Sequence, residues 1–355
     1  MKEIGSTFHS LNHNRLILEG ITPFNEGYEL FYSGRHALKF ILEKIQRIGK
    51  AKRIWFPNYY CRHVINWIKK DFPNLYFYDI NPFDINDIPT FPDPLNSNEV
   101  VILNNFWGIN DLSEQIDGLE NPLIVEDHSH GWQSKACLES TADYCFASLR
   151  KSLPIPFGGI YWEPGSNPDT IGEIPGEHFY MAWDQMLNAM ELKTNYLKNP
   201  TASVAIKESF LDSFMQTEKF LDDHHEIVGM RNQDIKFIQD YFTINTLKAK
   251  KKNFDYFNKN IKPTSLFKVL HRENYTSFGI ILLFQNKEVF LDLKNLLIKN
   301  DIYPAHLWPD NPPVERSEWN YLLNLHIDYR YNKKDISYML KIINSWIQRN
   351  QNSTK

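Results

Sequence analysis

Cysteine, long apolar runs and an excess of charge of one sign are all scarce in this sequence of 355 residues. Its 3 cysteines, an odd number without short-range pairing, exclude a disulfide framework and favour a reducing compartment. Neither a signal-peptide core nor a run of about 18 apolar residues occurs, so no membrane span is predicted. A net charge of −4 provides no basic surface for nucleic acid or an anionic membrane. We therefore expect a cytoplasmic protein without nucleic-acid or membrane partners.

The first two-thirds of the chain alternate short apolar runs with amphipathic stretches. Nearly continuous apolar character predicts strands that are buried on both faces of a sheet. Alternation of such strands with helices predicts an α/β fold, a three-layer, doubly wound and mostly parallel sheet. The predicted strands are RIWF (53–56), LYFYDI (75–80), EVVILNN (99–105), PLIVED (122–127), DYCFASL (143–149) and GGIYW (158–162).

From about residue 183 the pattern changes to long helices. The lysine-rich stretch 247–260 is predicted to be a weakly structured link. Beyond it, a second unit of alternating strands and helices predicts a small α+β domain. Its predicted elements are strands at 265–270 and 277–284, a helix at 287–300, a strand pair around 302–308 and 321–327, and a closing helix at 334–349.

The stretch FYSGRHAL offers a candidate phosphate site at the start of a helix. Ser33 is a candidate N-cap, and Gly34 permits close approach to the backbone. The first amides of the helix, those of Gly34, Arg35 and His36, have no partner within it and attract an anion. An ordinary capped helix explains the same residues, so both interpretations remain open at this point.

Aromatic and acidic side chains follow two other predicted strands. In FPNYYCRH, Tyr59 and Tyr60 either stack on a flat ligand or pack in the core. In LIVEDHSHGW, Asp127 ends a buried strand, where a carboxylate needs a positive partner such as a protonated ring nitrogen. Asp127, His128 and His130 also offer metal-ligand types, but no further histidine cluster supports them, and we predict no metal.

FASLRKSLPIPFGG places Lys151 in a turn after a buried strand, before a Gly-Gly pair. Desolvation there depresses the pKa of the ammonium group, and a neutral amine forms a Schiff base with an aldehyde. A solvated lysine is the alternative, and Arg150 beside it faces solvent or a phosphate. A helix-start phosphate site, a strand-end aspartate and this lysine together are the parts that pyridoxal 5′-phosphate requires.

These motifs, in this order, resemble the fold-type-I pyridoxal-phosphate enzymes, and among them the DegT/StrS-type sugar aminotransferases. SGRHAL resembles the family's Ser-Gly-Thr-x-Ala-Leu, with Arg35 in place of threonine. VEDHSHG resembles Glu-Asp-x-Ala-Gln/His, and LNLHIDYRY resembles Leu-x-Leu-Pro-x-Asp-x-Arg-Tyr. SLRKSLPIPFGG resembles the lysine segment, although its Ser148-to-Lys151 spacing is two residues shorter than usual. The resemblance covers most of the chain.

The resemblance implies a role for each matched residue. Lys151 would anchor the cofactor as an internal aldimine, and Asp127 would bind the pyridine nitrogen; these two form the implied catalytic pair. The implied cofactor-binding residues are Ser33, Gly34, Arg35, Tyr59, Tyr60, Asp127, His130, Ser148 and Lys151. It also implies an N-terminal arm (1–30), a large cofactor-binding domain (31–245) and a small C-terminal domain (246–355).

The implied reaction moves an amino group from an amino acid donor to a keto sugar, carried on a nucleotide, in polysaccharide biosynthesis. The implied assembly is a homodimer. Two alternatives stay open. One is a pyridoxal-phosphate enzyme with other sugar chemistry such as dehydration, although that variant has histidine where this chain has Lys151. The other is a non-catalytic relative that binds a ligand on the same scaffold.

Overall fold

The computed structural model describes residues 3–5, 7–11, 24, 26–112, 122–171, 176–199, 204–242 and 245–352. Within these ranges, no helix combines the length and apolar content needed to cross a bilayer. Two sheets organise them, one of seven strands and one of three. The expected division of the chain at 245 and 246 stays a prediction.

The larger sheet carries its strands in the order β1-β7-β6-β5-β4-β2-β3. Its strands are β1 (Tyr28–Phe31), β2 (Ile54–Pro57), β3 (Leu75–Tyr78), β4 (Val100–Asn104), β5 (Leu123–Asp127), β6 (Tyr144–Ser148) and β7 (Gly159–Trp162). Strands β2 to β6 are parallel to one another, whereas β7 is antiparallel to both β1 and β6. The mostly parallel α/β fold predicted from the sequence is confirmed.

Burial on both faces of the sheet explains why most of these strands are apolar throughout. The edge strand β3 is the exception. Strands β2, β4, β6 and β7 are buried at every position, as expected for a sheet covered on both faces. Strand β3 lies at the edge of the sheet, and the side chains of Tyr76 and Phe77 are exposed. The prediction of two buried faces is therefore wrong for 75–80, because an edge strand is covered less completely.

Helices cover this sheet and continue into the second unit. They are α1 (Gly34–Arg47), α2 (Arg62–Ile68), α3 (Lys135–Leu138), α4 (Glu177–Lys198), α5 (Val204–Asp223), α6 (Asn232–Asp240), α7 (Thr246–Asn260), α8 (Lys287–Lys299) and α9 (Lys333–Asn352). Helix α1 buries Leu38, Ile41 and Leu42 against the sheet. Helices α4 and α5 pack side by side.

Helix α7 corrects the expectation of a weakly structured link at 247–260. Asn245 caps it by accepting hydrogen bonds from the amides of Leu247 and Lys248. Phe254 and Phe257 are buried in the core of the second unit. Lysine is a good helix former, so the lysine-rich composition hid an amphipathic helix rather than marking a linker.

The smaller sheet consists of antiparallel strands β8 (Lys268–Leu270), β9 (Ile280–Phe284) and β10 (Tyr321–Leu325). Helices α8 and α9 share its core, as the predicted α+β unit requires. The expected strand at 302–308 is wrong, since this stretch forms isolated bridges instead, from Ile302 to Ile4 and from Ala305 to Asn324. Trp308, at the end of that stretch, has a φ of 51°, which is incompatible with a strand.

Candidate active site

A cavity of about 350 Å³ lies at the carboxyl edge of the parallel strands. Strands β5 and β6 end there at Asp127 and Ser148, and helix α1 begins there after β1. Ligands of open α/β sheets bind at this edge. The predicted site residues that line the cavity are Ser33, Gly34, Arg35, Tyr60, Asp127, Ser148 and Lys151.

The carboxylate of Asp127 is buried and already accepts three hydrogen bonds. Its Oδ2 accepts from the Tyr60 hydroxyl at 2.5 Å and from Asn104 Nδ2 at 3.0 Å. Its Oδ1 accepts from the amide of Ser129 at 2.8 Å. The parallel register explains part of this, because Asn104 of β4 lies opposite Asp127 of β5.

Lys151 lies in a 3-10 turn, Leu149–Lys151, that directly follows β6. Its Nζ lies 3.3 Å from Nε2 of His130. Burial lowers the pKa of the Lys151 ammonium below its ordinary value, while the nearby Asp127 carboxylate acts in the opposite direction. The amine therefore loses its proton more readily than a surface lysine does.

His130 is held as a neutral ring between aromatic side chains. Its imidazole stacks on the indoles of Trp107 and Trp308, with centroids at 5.5 and 5.1 Å. Burial, with a smaller contribution from the Lys151 charge, holds its pKa well below the ordinary value. Its Nδ1 has no hydrogen-bond partner among the described residues. Gly108, at φ 76°, lets the turn at 104–108 approach the backbone of His130, since a Cβ on Gly108 would lie 2.7 Å from the His130 carbonyl oxygen.

His130 lines a larger adjoining cavity, of about 830 Å³, rather than the first one. Lys151 and Trp308 line both cavities, so the two meet at the lysine. Apolar side chains of α4 and α5, among them Met186 and Leu211, form part of the larger cavity's wall.

Ser33 is the N-cap of α1, as predicted, but its hydroxyl proton is directed towards His36. Nε2 of His36 lies 3.2 Å from the carbonyl oxygen of His224, which can only accept, so this nitrogen carries the ring proton. Burial lowers the pKa of His36 to about 3, which leaves Nδ1 as an acceptor. That atom lies 2.6 Å from the Ser33 hydroxyl, which therefore donates to it. The Ser33 hydroxyl thus commits its proton to the His36 ring, and one of its lone pairs accepts from the His36 amide.

Two arginines in the cavity are paired with carboxylates of α5. Arg35 NH1 donates to Asp222, and Arg150 NH1 donates to Glu218. A second Arg150 nitrogen donates to the other Glu218 oxygen at 3.1 Å, so this pair is bidentate. The Arg150 side chain is partly exposed and lines the cavity, so the expectation that it faces solvent or a phosphate stays a prediction.

Tyr59 does not reach the first cavity and packs in the core instead. Its ring contacts those of Phe83 and Trp308, at centroid distances of 5.2 and 5.8 Å. Ser148 does line the cavity, but its amide donates to Ser129 Oγ at 2.9 Å. A Cβ on Gly34 would lie 3.1 Å from the Ser148 Cβ, so glycine permits the close approach of α1 to β6.

The alternative metal ligands Asp127, His128 and His130 do not converge. The side chain of His128 is buried and lies 2.9 Å from Glu126, its neighbour two residues earlier on the same strand face. Glu126 also accepts from Ser140 Oγ at 2.6 Å. This arrangement is a hydrogen-bonded polar network inside the fold.

Sequence reasoning missed three side chains that line the cavity, Glu218, Asp222 and Trp308, and it missed Asn104, which donates to Asp127. Glu218 and Asp222 are four residues apart, a spacing that places both on one face of a helix. That signal was present in the sequence. Nothing local indicated that the face would meet the cavity rather than solvent.

Solved structures of known proteins share the fold of this chain, whereas comparisons of its sequence find no relative. No family model matches the sequence, and no curated protein matches it. Among solved structures, Helicobacter pylori PseC, an aminotransferase involved in the biosynthesis of pseudoaminic acid, is similar with a TM-score of 0.62 and 11% identity over 98% of this chain and 100% of that one. The chain has the fold of sugar aminotransferases.

Two further structures support that similarity. A DegT DnrJ EryC1 StrS aminotransferase from Brucella abortus has a TM-score of 0.55 and 12% identity, over 90% of this chain and 86% of the other. The pyridoxal-phosphate form of Spr1654 from Streptococcus pneumoniae, assigned as a sugar aminotransferase, has a TM-score of 0.58 and 13% identity, over 97% and 93%. At such identities the likeness concerns the fold, and each residue's role must be argued from its own surroundings.

Proposed function

We propose that this chain is a divergent sugar aminotransferase of the DegT/StrS type, with pyridoxal phosphate as its cofactor. The observation that carries the proposal is that the Lys151 amine and the Asp127 carboxylate line one cavity, at the carboxyl edge of this sheet. A lysine and a carboxylate are the two groups with which proteins of this chemistry hold the aldehyde and the ring nitrogen.

The residues fit the ring end of the cofactor. A carboxylate offers about four acceptor sites, and the three hydrogen bonds to Asp127 leave one of them for a ring N–H. The orphaned Nδ1 of buried His130 is a further polar atom that a bound molecule, or a small shift of the ring, would satisfy.

The residues also fit the phosphate end. The start of α1 supplies amides without helical partners, next to Gly34 and Arg35. The cations Arg35, Arg150 and Lys151 in the cavity are matched by the carboxylates of Asp127, Glu218 and Asp222. The amides at the helix start therefore supply the attraction for an anion at this end.

When bound, pyridoxal phosphate supplies an aldehyde that a lysine amine takes up and a ring that withdraws electrons from the substrate's α-carbon. Lys151 Nζ serves as the proton carrier, because burial lowers its pKa towards the range where a base is effective. Neutral His130 lies close enough to orient that amine through a hydrogen bond. Trp107 and Trp308 exclude water from one side of this pair.

We further propose that the acceptor is a keto sugar, carried on a nucleotide for polysaccharide synthesis, that the donor is an amino acid, and that the enzyme works in the cytoplasm. The sugar aminotransferases of similar fold support the sugar. The larger cavity beside Lys151 provides the space for an acceptor. We also propose a homodimer, since Leu211 and Met215 on α5 are exposed apolar residues at the mouth of that cavity.

One set of contacts favours a second candidate, a non-catalytic ligand-binding relative. The Tyr60 hydroxyl uses one acceptor site of the Asp127 carboxylate, and carboxylates of α5 pair with both Arg35 and Arg150. In this form the same groups that would hold the cofactor hold one another. The two functions differ in whether Lys151 reacts with an aldehyde.

The test is reductive trapping. The purified protein is incubated with pyridoxal phosphate, its visible absorption is recorded, and borohydride is added before peptides are mapped by mass spectrometry. We expect a visible band that borohydride removes, with a pyridoxyl group on the peptide containing Lys151. Lys151→Met should lose both signals.

Lys250→Met is the matched control, since Lys250 is also buried and burial lowers its pKa to about 8, yet it does not line the first cavity. It should retain the Lys151 modification. No band, or modification spread over exposed lysines and unchanged in Lys151→Met, would reject the enzyme and favour the non-catalytic relative.

A further inference from the structure

Three metal-ligating side chains lie together at a place that the proposed reaction does not use. They are His178, His224 and Glu226, whose ligand atoms all lie within 4.8 Å of one another. His178 belongs to the first turn of α4, and the other two belong to the segment that follows α5. None of the three lines either cavity at Lys151.

The ring of His224 is oriented so that one nitrogen is left to bind an ion. Its Nδ1 lies 2.8 Å from the carbonyl oxygen of Phe220, which can only accept, so Nδ1 carries the proton. In the uncharged form of the ring, Nε2 is then the nitrogen whose lone pair can bind an ion. Metal-binding histidines are commonly held in this way, with the second ring nitrogen donating to a carbonyl. The ring also stacks on Phe220, at 4.0 Å between centroids.

His178 and Glu226 complete a set of ligands that suits zinc. His178 Nε2 lies 2.5 Å from Glu226 Oε1, and both side chains are nearly half exposed, so an ion can enter from solvent. Zinc binds imidazole nitrogen at about 2.0–2.1 Å and accepts two histidines with a glutamate, leaving its fourth position to water.

The position of the cluster indicates what the ion would do. The carbonyl oxygen of His224 accepts from His36, and that of His225 accepts from Lys39 at 2.8 Å. Both donors belong to α1, the helix whose start carries Ser33 and Gly34. An ion that fixes the segment 224–226 therefore also supports α1 at the end facing the cavity.

We propose that His178, His224 and Glu226 form a Zn²⁺ site, with water as the fourth ligand, that fastens the segment after α5 to the start of α4. The site is independent of the proposed reaction. It requires no bound cofactor.

The test uses the full chain without a histidine tag, stripped with EDTA and dialysed. Calorimetric titration with ZnCl₂ should give one site per chain, and Zn²⁺, but not Mg²⁺, should raise the melting temperature. His178→Ala and Glu226→Gln should each weaken binding at least roughly tenfold. Both side chains are nearly half exposed, so we expect both variants to fold, with circular dichroism as the check.

His271→Ala is the matched control, because His271 is an exposed histidine outside the cluster, whose ring contacts Phe254. It should bind zinc as the wild type does. The site is rejected if wild-type protein binds no zinc, or if His178→Ala binds it with unchanged affinity and the same rise in melting temperature.

Discussion

The hydroxyl of Tyr60 donates a hydrogen bond of 2.5 Å to Oδ2 of Asp127, and both side chains are buried. Burial, reinforced by the carboxylate, raises the pKa of Tyr60 well above its ordinary value, so the phenol keeps its proton and remains a donor. Tyr60, one of the two adjacent tyrosines predicted either to stack on a flat ligand or to pack in the core, thus supports the carboxylate that would bind the ring nitrogen.

Tyr60→Phe should destabilise the protein by about 1.5–3 kcal/mol, because a buried carboxylate loses one of its donors. Urea unfolding measures this cost. Tyr78→Phe is the matched control, since the buried Tyr78 hydroxyl donates to the neutral carbonyl oxygen of Ile102 at 2.9 Å. That bond is worth about 1 kcal/mol. If the two variants lost the same free energy of unfolding, the hydrogen bond to the Asp127 carboxylate would stabilise the protein no more than a bond to a neutral carbonyl.

The carboxylates of α5 should oppose cofactor binding. Removal of one negative charge near the phosphate end, by Glu218→Gln or Asp222→Asn, frees Arg150 or Arg35 and removes a repulsion of about 1 kcal/mol. We expect each variant to bind pyridoxal phosphate about fivefold more tightly, measured by quenching of tryptophan fluorescence.

Asp212→Asn is the control for this pair, because Asp212 is exposed on the same helix and lines neither cavity. It changes the net charge equally and should leave the affinity unchanged. Weaker binding by Glu218→Gln would mean instead that the carboxylates hold the arginines in a productive position.

The sequence predicted the parts of the site that follow from sheet geometry. Asp127 and Lys151 line one cavity because Asp127 ends β5 and Lys151 follows β6, and the ends of neighbouring parallel strands share one edge. The sequence could not predict which of Tyr59 and Tyr60 would face the cavity and which the core. The two side chains are identical, so only their surroundings in the fold decide this. The pairing of Arg35 with Asp222 joins residues far apart in the chain and depends on how α5 packs.

The buried Lys250 makes stability depend on pH. Burial lowers its pKa to about 8 from 10.5, against the opposing effect of Asp328. Above about pH 8 the unfolded chain retains a proton that the folded chain has lost, so stability rises with pH through this window. Lys250→Met removes the titrating group and should reduce the rise between about pH 8 and pH 9.5 by about 2 kcal/mol.

Urea unfolding at the two pH values checks this, with Lys252→Met as the control. Lys252 is exposed on the same helix and should leave the slope unchanged. Arg330, a further charge near Lys250, stays protonated throughout this range. The same rise in wild type and Lys250→Met would refute the assignment.

Exposed apolar residues on α4 and α5 predict self-association. Met181 is 72% exposed, Met215 63% and Leu211 41%, and the last two border the cavity beside Lys151. A charge placed among them would have to be buried without a partner in a dimer. We expect sedimentation velocity to find a dimer for the wild type, and a dimer dissociation constant at least roughly tenfold higher for Met215→Lys. Ile88→Lys, at an isolated exposed residue of the large unit that is 61% exposed, should sediment as the wild type does. A monomeric wild type would remove the dimer from the proposal, and the Lys151 site would then have to function within one chain.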